Sequence, residues 1–143
     1  MKNNRIAKTK IILDSDVVIH FIKGECLSKL PKIFPQYQYV ILDIVFDNEL
    51  AKSRQTKEQL QNHIHFLKNI TIEKWTPTYE MIQEFSLLNQ RLGTGESACL
   101  VYCKYNHDVL ASSNLQDTKF YCEEHQITYL TTMDFLYYAM QKK

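Results

Sequence analysis

The sequence has little glycine or proline and no long apolar run. Three glycines and three prolines among 143 residues exclude a collagen-like, disordered or linker-rich chain. No apolar stretch approaches the roughly 20 residues that span a bilayer, and Ile11, Ile12 and Leu13 are too few for the core of a signal peptide. We therefore expect a cytoplasmic protein with no membrane segment.

The sequence also lacks closely spaced cysteine pairs and a large net charge. The four cysteines include no Cys-x-x-Cys pair, so neither a zinc site nor a redox motif is indicated, and buried free thiols are the simpler interpretation. Seventeen Lys and Arg against sixteen Asp and Glu leave a net charge of +1, which gives no strong overall field. Any nucleic acid would have to be held by a local group of residues.

The sequence contains enough apolar residues to form the core of one domain, which we expect to occupy residues 1–143. Five short segments rich in β-branched or aromatic residues predict strands at 10–13, 39–42, 70–74, 109–111 and 128–130. Helical patterns lie between them, including residues 56–67, 78–89 and 95–105. This alternation predicts a parallel sheet flanked by helices, with its site beyond the carboxyl ends of the strands.

Two of the helical patterns predict different degrees of burial. In residues 78–89, Tyr79, Ile82 and Phe85 form one apolar stripe with a polar face opposite. Residues 95–105 are apolar nearly all round, which predicts a central helix, and Thr94 is the expected N-cap.

Two acids follow the first predicted strand. Asp14 comes directly after Ile11, Ile12 and Leu13, and Asp16 lies two residues later, where a helical pattern begins. The position places Asp14 at the mouth of the sheet. For this segment alone, an N-cap made by Asp14 or Ser15 is the simpler interpretation.

Two glutamates are expected near the same edge. Glu49 shares a helix face with Val45, so it points towards the mouth if Val45 faces the sheet, and into solvent otherwise. Glu96 falls in the first turn of the apolar helix, beside Gly93 and Gly95. Glycines there allow a close backbone approach, although favourable interaction with the helix dipole would also explain an acid at this position.

A run of polar residues follows the fourth predicted strand. Ser112, Ser113, Asn114 and Asp117 lead from the strand into a helix. Two interpretations of this segment in isolation are equally open. Ser113 or Asn114 is the N-cap of the helix, with Asp117 at the third helical position, or Asn114 and Asp117 are ligands.

Acids from all four places can meet at one edge of the sheet. Clustered carboxylates raise one another's pKa unless cations neutralise them. A cluster of oxygen ligands without His or Cys selects hard cations such as Mg²⁺ or Mn²⁺. Because such ions can support in-line displacement at phosphorus, cleavage of a phosphate ester is the expected reaction class.

The residues in this order resemble the PIN domain nucleases, which include the toxins of VapBC-type toxin–antitoxin pairs. The resemblance runs from Ile11 to about Leu136. It rests on the strand that ends in Asp14 and Asp16, the Glu49-Leu50 pair, the Gly-x-Gly-Glu helix start at Glu96, and the Ser-Ser-Asn-x-x-Asp segment. It implies a three-layer α/β/α sandwich with a central, mostly parallel sheet of about five strands.

The resemblance also implies a function. The expected activity is that of a Mg²⁺- or Mn²⁺-dependent endoribonuclease, in which water activated by the metal cleaves an RNA phosphodiester. Homodimers are frequent in the family, and a small antitoxin protein often inserts into the active-site groove. The substrate implied for this chain is therefore RNA, and the implied protein partners are an antitoxin and a second copy of the chain.

Residue roles carry over by the same resemblance. Asp14 and Glu96 become the acids that bridge the metal, and Glu49 becomes a ligand directly or through water. The family commonly has Asp soon after the hydroxyls of the fourth strand, where this sequence has Asn114. Either Asp117 replaces it as the fourth acid, or the site holds one cation tightly and a second cation weakly.

The remaining polar residues are assigned to the substrate. Ser112 or Ser113 would orient an acid or a phosphate by hydrogen bonding, and Asp16 is grouped with them as a substrate-binding residue. This scheme requires no histidine as a nucleophile or as a base.

Two alternatives remain open. A phosphatase resembling the haloacid dehalogenase superfamily would use Asp14 as nucleophile and Asp16 as acid or base, through a phosphoaspartate. A catalytically weak PIN-like module would bind RNA or a protein without cutting it, and Asn114 motivates that interpretation.

Overall fold

The computed structural model describes residues 8–141 and contains a parallel sheet of five strands. The strands are β1 (Lys10–Leu13), β2 (Gln38–Leu42), β3 (Thr71–Glu73), β4 (Val109–Ala111) and β5 (Tyr129–Leu130). Their order is β3-β2-β1-β4-β5, and every neighbouring pair is parallel. All five predicted strands are confirmed, with small shifts at their ends. The outer parts of the expected domain, 1–7 and 142–143, lie outside the described residues.

Helices connect the strands and cover both faces of the sheet. They are α1 (Ser15–Lys23), α2 (Leu30–Ile33), α3 (Asp43–Val45), α4 (Arg54–Asn62), α5 (Tyr79–Leu88), α6 (Thr94–Asn106), α7 (Leu115–Glu124) and α8 (Thr132–Gln141). A 3₁₀ turn, Leu27–Lys29, precedes α2, and π-helical turns Phe46–Leu50 and His63–Leu67 continue α3 and α4. The arrangement is a three-layer α/β/α sandwich. Within residues 8–141, no helix combines the length and apolar character needed to cross a membrane.

Helix α6 is the most buried helix of the sandwich. Its residues from Ser97 to Cys103 are all buried, and it packs against β1, β4, α5 and α7. The predicted central helix is therefore confirmed. The predicted N-cap is wrong, because Gly93 occupies that position with φ −65° and ψ 161°. Thr94 lies inside the first turn, and its hydroxyl donates to Asn89 Oδ1 at 3.3 Å.

The apolar stripe predicted for α5 is wrong at Tyr79 and Ile82, whereas Phe85 packs against the core as predicted. Tyr79 is 76% exposed and Ile82 is 42% exposed, whereas Met81 and Leu88 are buried. Met81, Phe85 and Leu88 follow the spacing i, i+4, i+7 and share the buried face, which is an equally regular apolar stripe. The helix has apolar residues on more than one face, and packing against α6 selects the face that is buried.

A cluster of polar side chains joins α5, α6 and α7. The Glu84 carboxylate accepts hydrogen bonds from Lys104 Nζ at 2.7 Å, Tyr105 at 2.6 Å and Tyr121 at 2.7 Å. Although partial burial opposes the shift, these hydrogen bonds lower the pKa of Glu84. The cluster ties α6 to the helix on either side of it.

The order of strands reverses at β1. From β1 the chain adds β2 and β3 on one side, and β4 and β5 then lie on the other. In open parallel sheets a crevice forms at such a point, beyond the carboxyl ends of the strands. The Asp14 N–H donates to the Ala111 carbonyl at 2.9 Å. The ends of β1 and β4 therefore lie side by side at this crevice.

Candidate active site

A pocket of about 230 Å³ opens at the carboxyl ends of β1 and β4. Four separate parts of the chain contribute its lining residues: Asp14, Ser15, Asp16, Glu49, Gly93, Glu96 and Asn114. Four of these seven residues are acids, and none is Lys or Arg. Acids that the sequence analysis placed near one edge of the sheet thus surround a single opening, which we call the acidic pocket.

Asp14 is the most buried of the acids, with 5% of its surface exposed. It is the N-cap of α1, with φ −79° and ψ 161°, and its Oδ1 accepts from the Ser15 N–H at 2.8 Å. Asp14 is therefore both a cap and a pocket residue. Burial, and next the charge of Asp16, raise the pKa of Asp14 to about 7. The folded protein thus resists full ionisation of the pocket at neutral pH.

Asp16 reaches from the first turn of α1 to the loop after β4. Its Oδ2 accepts from the Ser113 N–H at 3.0 Å. Its Oδ1 is buried and has no hydrogen-bond partner among the described residues. The Ser113 hydroxyl pairs with the Thr132 hydroxyl at 2.7 Å, which in turn contacts His20 Nδ1 at 2.8 Å. Sequence analysis missed Thr132, because only the fold brings the start of α8 to this loop.

Ser112 and Ser113 do not line the pocket themselves. Ser112 is fully buried, its N–H donates to the Leu130 carbonyl at 3.0 Å, and its hydroxyl accepts from the Asn114 N–H at 3.3 Å. The two serines therefore shape the turn that presents Asn114 and anchor Asp16.

Glu49 is carried by the π-helical turn that follows α3. Val45 is fully buried, and Glu49 lies one turn further along and lines the pocket, as their shared face predicted. The Ser15 hydroxyl donates to Glu49 Oε1. The carboxylate lies over Gly95, where an added Cβ would stand 3.3 Å from the Glu49 carboxyl carbon and 3.2 Å from Val45 Cγ2. The missing side chain at Gly95 makes room for Glu49.

Asn114 links Glu96 to Asp117. Its Nδ2 donates to Glu96 Oε2 at 2.7 Å and to Asp117 Oδ2 at 2.8 Å. Asn114 stands at the N-cap position of α7, but its side chain makes no capping hydrogen bond. Partial burial raises the pKa of Glu96 despite the hydrogen bond from Asn114, and the Asp117 charge adds to the rise.

The two candidates for the fourth ligand differ in position. Asn114 lines the acidic pocket, whereas Asp117 is exposed and is not one of the lining residues. Asn114 presents its amide nitrogen to the two neighbouring acids, so ligation through its Oδ1 requires the amide to turn over.

The donor atoms of the acidic pocket suit a hard divalent cation. They are oxygens from carboxylates, a serine and an amide, which is the chemistry that Mg²⁺ and Mn²⁺ prefer. In residues 8–141, no salt bridge neutralises a pocket acid, and Asp16 retains one buried oxygen without a partner. No group of three or more described His, Cys, Asp and Glu residues is arranged so that it could hold a metal ion. The pocket therefore has oxygen atoms of the kind that bind a hard cation, but they are not already arranged around one metal position.

No family model and no curated protein matches this sequence. Solved structures do match the fold. A PilT N-terminus domain protein, SSO1118 from the archaeon Sulfolobus solfataricus P2, is similar with a TM-score of 0.53 and 10% identity, over 89% of this chain and 90% of that one. The chain has the PIN-domain fold.

Two further structures support the PIN fold. VapBC2 from Rickettsia felis, solved with a DNA fragment from its promoter, gives a TM-score of 0.60 at 15% identity, over 85% of this chain and 98% of that one. PAE2754 from Pyrobaculum aerophilum gives a TM-score of 0.60 at 11% identity, over 94% and 92% of the two chains. At these identities the likeness is one of fold, which confirms the architecture that the sequence resemblance implied.

Proposed function

We propose that this protein is a Mg²⁺- or Mn²⁺-dependent endoribonuclease. The observation that carries the proposal is the convergence of Asp14, Asp16, Glu49 and Glu96 on one pocket without a positive side chain. Divalent cations that neutralise such a cluster also coordinate phosphate oxygens. The PIN fold of the chain supports a nuclease, and the acidic pocket lies where that fold brings the ends of β1 and β4 together.

In this proposal Asp14 and Glu96 hold the cation, Glu49 binds it directly or through water, and Asn114 or Asp117 is the fourth ligand. When bound, the ion makes water a better nucleophile at neutral pH and offsets negative charge on the phosphodiester. The protein groups that orient these ligands are already in place. Asn114 holds the Glu96 carboxylate at 2.7 Å.

Two other residues have positioning roles in the same scheme. The Ser15 hydroxyl holds one oxygen of Glu49, which leaves the other oxygen for a ligand. The Ser113 N–H anchors Asp16 through Oδ2. Asp16 Oδ1 is buried and has no hydrogen-bond partner among the described residues, so it is one pocket oxygen that could accept a hydrogen bond from water entering the pocket.

We also propose a biological setting for the nuclease. The likeness to VapBC2, a complex solved with promoter DNA, supports the toxin of a toxin–antitoxin pair. The proposed partners are an antitoxin protein that covers the acidic pocket and a second copy of the chain in a homodimer, and the proposed location is the cytoplasm.

A PIN-like module that binds RNA without cutting it is the second candidate. It is favoured by the amide nitrogen that Asn114 presents to Glu96 and Asp117, and by the lack of a metal-ready group among the described residues.

RNA cleavage by the purified protein tests these proposals. We expect Mg²⁺ or Mn²⁺, but not EDTA, to support cleavage into fragments with a 5′-phosphate, and Asp14→Asn and Glu96→Gln to remove it. Asp47→Asn is the matched control, because Asp47 is an exposed acid on the turn of Glu49 and does not line the pocket. Binding without cleavage would favour the second candidate, and a phosphoryl group trapped on Asp14 would favour a phosphatase.

We expect Gly95→Ala to impair cleavage without unfolding the protein. The added methyl group displaces the Glu49 carboxylate that lies over Gly95, whereas alanine is preferred to glycine inside a helix by about 1 kcal/mol. Displacement of a reacting group by about 1 Å costs on the order of 100-fold, so kcat/KM should fall between tenfold and 100-fold. Thermal unfolding should change by only a few degrees.

The Glu49→Gln background provides the control for this variant. If Gly95→Ala acts through Glu49, it should cause little further loss of kcat/KM once Glu49 has been replaced. Independent, multiplicative losses would show that Gly95 acts by another route.

A further inference from the structure

Arg91 and Phe120 lie beside the acidic pocket on the side of α6 and α7. Arg91 is in the turn between α5 and α6, two residues before Gly93, which lines the pocket. Phe120 is on α7, one turn after Asp117, whose carboxylate is bonded to the pocket residue Asn114. Residues three apart on a helix share a face. Arg91 is therefore close in the chain to the pocket lining, and Phe120 is connected to it through Asp117 and Asn114.

The two side chains form an exposed stack. The Arg91 guanidinium carbon lies 4.8 Å from the centre of the Phe120 ring. Phe120 is 44% exposed, and its other aromatic neighbour, Tyr121, meets it edge to face at 6.4 Å between ring centres. Arg91 forms no salt bridge with any described residue. The N–H groups of a guanidinium point outward in its plane, so stacking leaves them able to bind an anion.

A polyanion needs such a cation here. The acidic pocket contributes four acids and no basic residue, so phosphates that flank the reacting one are repelled unless a positive group lies close by. A guanidinium binds phosphate through two parallel hydrogen bonds, and an exposed aromatic ring stacks on any unpaired base. A base inside a duplex cannot reach the ring.

We propose that Arg91 and Phe120 form a nucleotide subsite for single-stranded RNA next to the acidic pocket. Arg91 binds a phosphate that flanks the scissile one, and Phe120 stacks on the adjoining unpaired base. This proposal rests on the proposed nuclease function and names its substrate class.

RNA binding by variants tests the subsite. We would measure the anisotropy of a fluorescent eight-nucleotide RNA, single-stranded or paired with its complement, in Mn²⁺ with Asp14→Asn as the background to prevent cleavage. Loss of one stacked base weakens binding by roughly 5- to 150-fold, so Phe120→Leu should raise the Kd for the single strand about tenfold. The Kd for the duplex should not change.

Salt dependence separates the two residues. Arg91→Gln should lower the slope of log K against log salt by about 0.7, the value for one phosphate contact on a single strand, whereas Phe120→Leu should leave the slope unchanged. Phe66→Leu and Lys32→Gln are matched controls, because both residues are exposed and precede β3 and β2, the strands on the other side of β1 from β4 and β5. Thermal unfolding of each variant shows whether the fold is retained.

The outcomes distinguish this proposal from the nuclease proposal. If Phe120→Leu and Arg91→Gln bind single strands within twofold of the background protein, the subsite is wrong even where the wild type cleaves RNA. The subsite is also wrong if Phe120→Leu weakens binding to duplex RNA as much as it weakens binding to single strands. If both variants behave as expected but the wild type does not cleave RNA, the subsite stands and the nuclease proposal fails.

Discussion

Replacement of Asp14 by asparagine is expected to stop RNA cleavage and to stabilise the protein when divalent cations are absent. Loss of one preorganised hydrogen-bond donor to a transition state commonly lowers kcat by on the order of 10² to 10³, and loss of a metal ligand should cost at least that much. Asparagine keeps the side-chain oxygen that caps α1 through the Ser15 N–H. The measurements are kcat/KM on RNA and the free energy of unfolding in EDTA.

The stabilisation should depend on pH in a defined way. Folding raises the pKa of Asp14 from 3.8 to about 7, so ionisation of this group opposes folding. The penalty is absent below about pH 4, grows as the pH rises to about 7, and is constant above that. A shift of this size corresponds to at most about 4 kcal/mol. The advantage of Asp14→Asn over the wild type should follow the same course.

Asp47→Asn is again the control, because it removes one negative charge outside the pocket. It should change neither activity nor the pH dependence of stability. If Asp14→Asn unfolds more easily than the wild type at pH 7 in EDTA, or retains cleavage, the assignment of Asp14 as a buried, charge-crowded ligand is wrong.

Addition of Mn²⁺ is expected to stabilise the wild type strongly. An ion present at 100 times its Kd stabilises the folded state by about 2.7 kcal/mol, which corresponds to roughly 8 to 12 °C in Tm for a chain of this length. The effect arises because the ion supplies the positive charge that no Lys or Arg brings to the pocket lining. Differential scanning fluorimetry with and without Mn²⁺ measures it.

Variants of the pocket acids locate the ion. Glu96→Gln and Asp14→Asn should each remove most of the Mn²⁺-dependent shift in Tm, and the double variant should remove all of it. Asp117→Asn should reduce the shift only if Asp117 is the fourth ligand, whereas Asn114→Ala removes both the other candidate and the hydrogen bond that holds Glu96. An equal shift in the double variant and the wild type would show that Mn²⁺ binds elsewhere.

The sheet and the position of its acids could be predicted because both depend on local sequence. A run such as Ile11 to Leu13 is buried on both faces only in a covered parallel sheet, and the carboxyl ends of such strands share one edge. Asp14 and Glu96 follow from this rule. Glu49 followed only on the condition that Val45 faced the sheet, which the structure meets with a fully buried Val45.

Other features could not be predicted because they depend on distant parts of the chain. The apolar residues of α5 allow more than one buried face, and contact with α6 decides in favour of Met81 rather than Tyr79. The hydroxyl of Thr132 reaches Ser113 only because β5 pairs with β4. The amide of Asn114 bonds to Glu96 instead of capping α7, a choice that local sequence leaves open.

The pairing of β1 with β4 also has a consequence for biosynthesis. Ile11 lies beside Val109 and Leu13 beside Ala111, so the first strand can pair with β2 early, but its second partner is synthesised much later. Contacts between such distant segments form slowly, because a long loop must close first. A prematurely terminated polypeptide that ends before β4 would carry Asp14, Glu49 and Glu96 but could not complete the acidic pocket, which also needs Asn114.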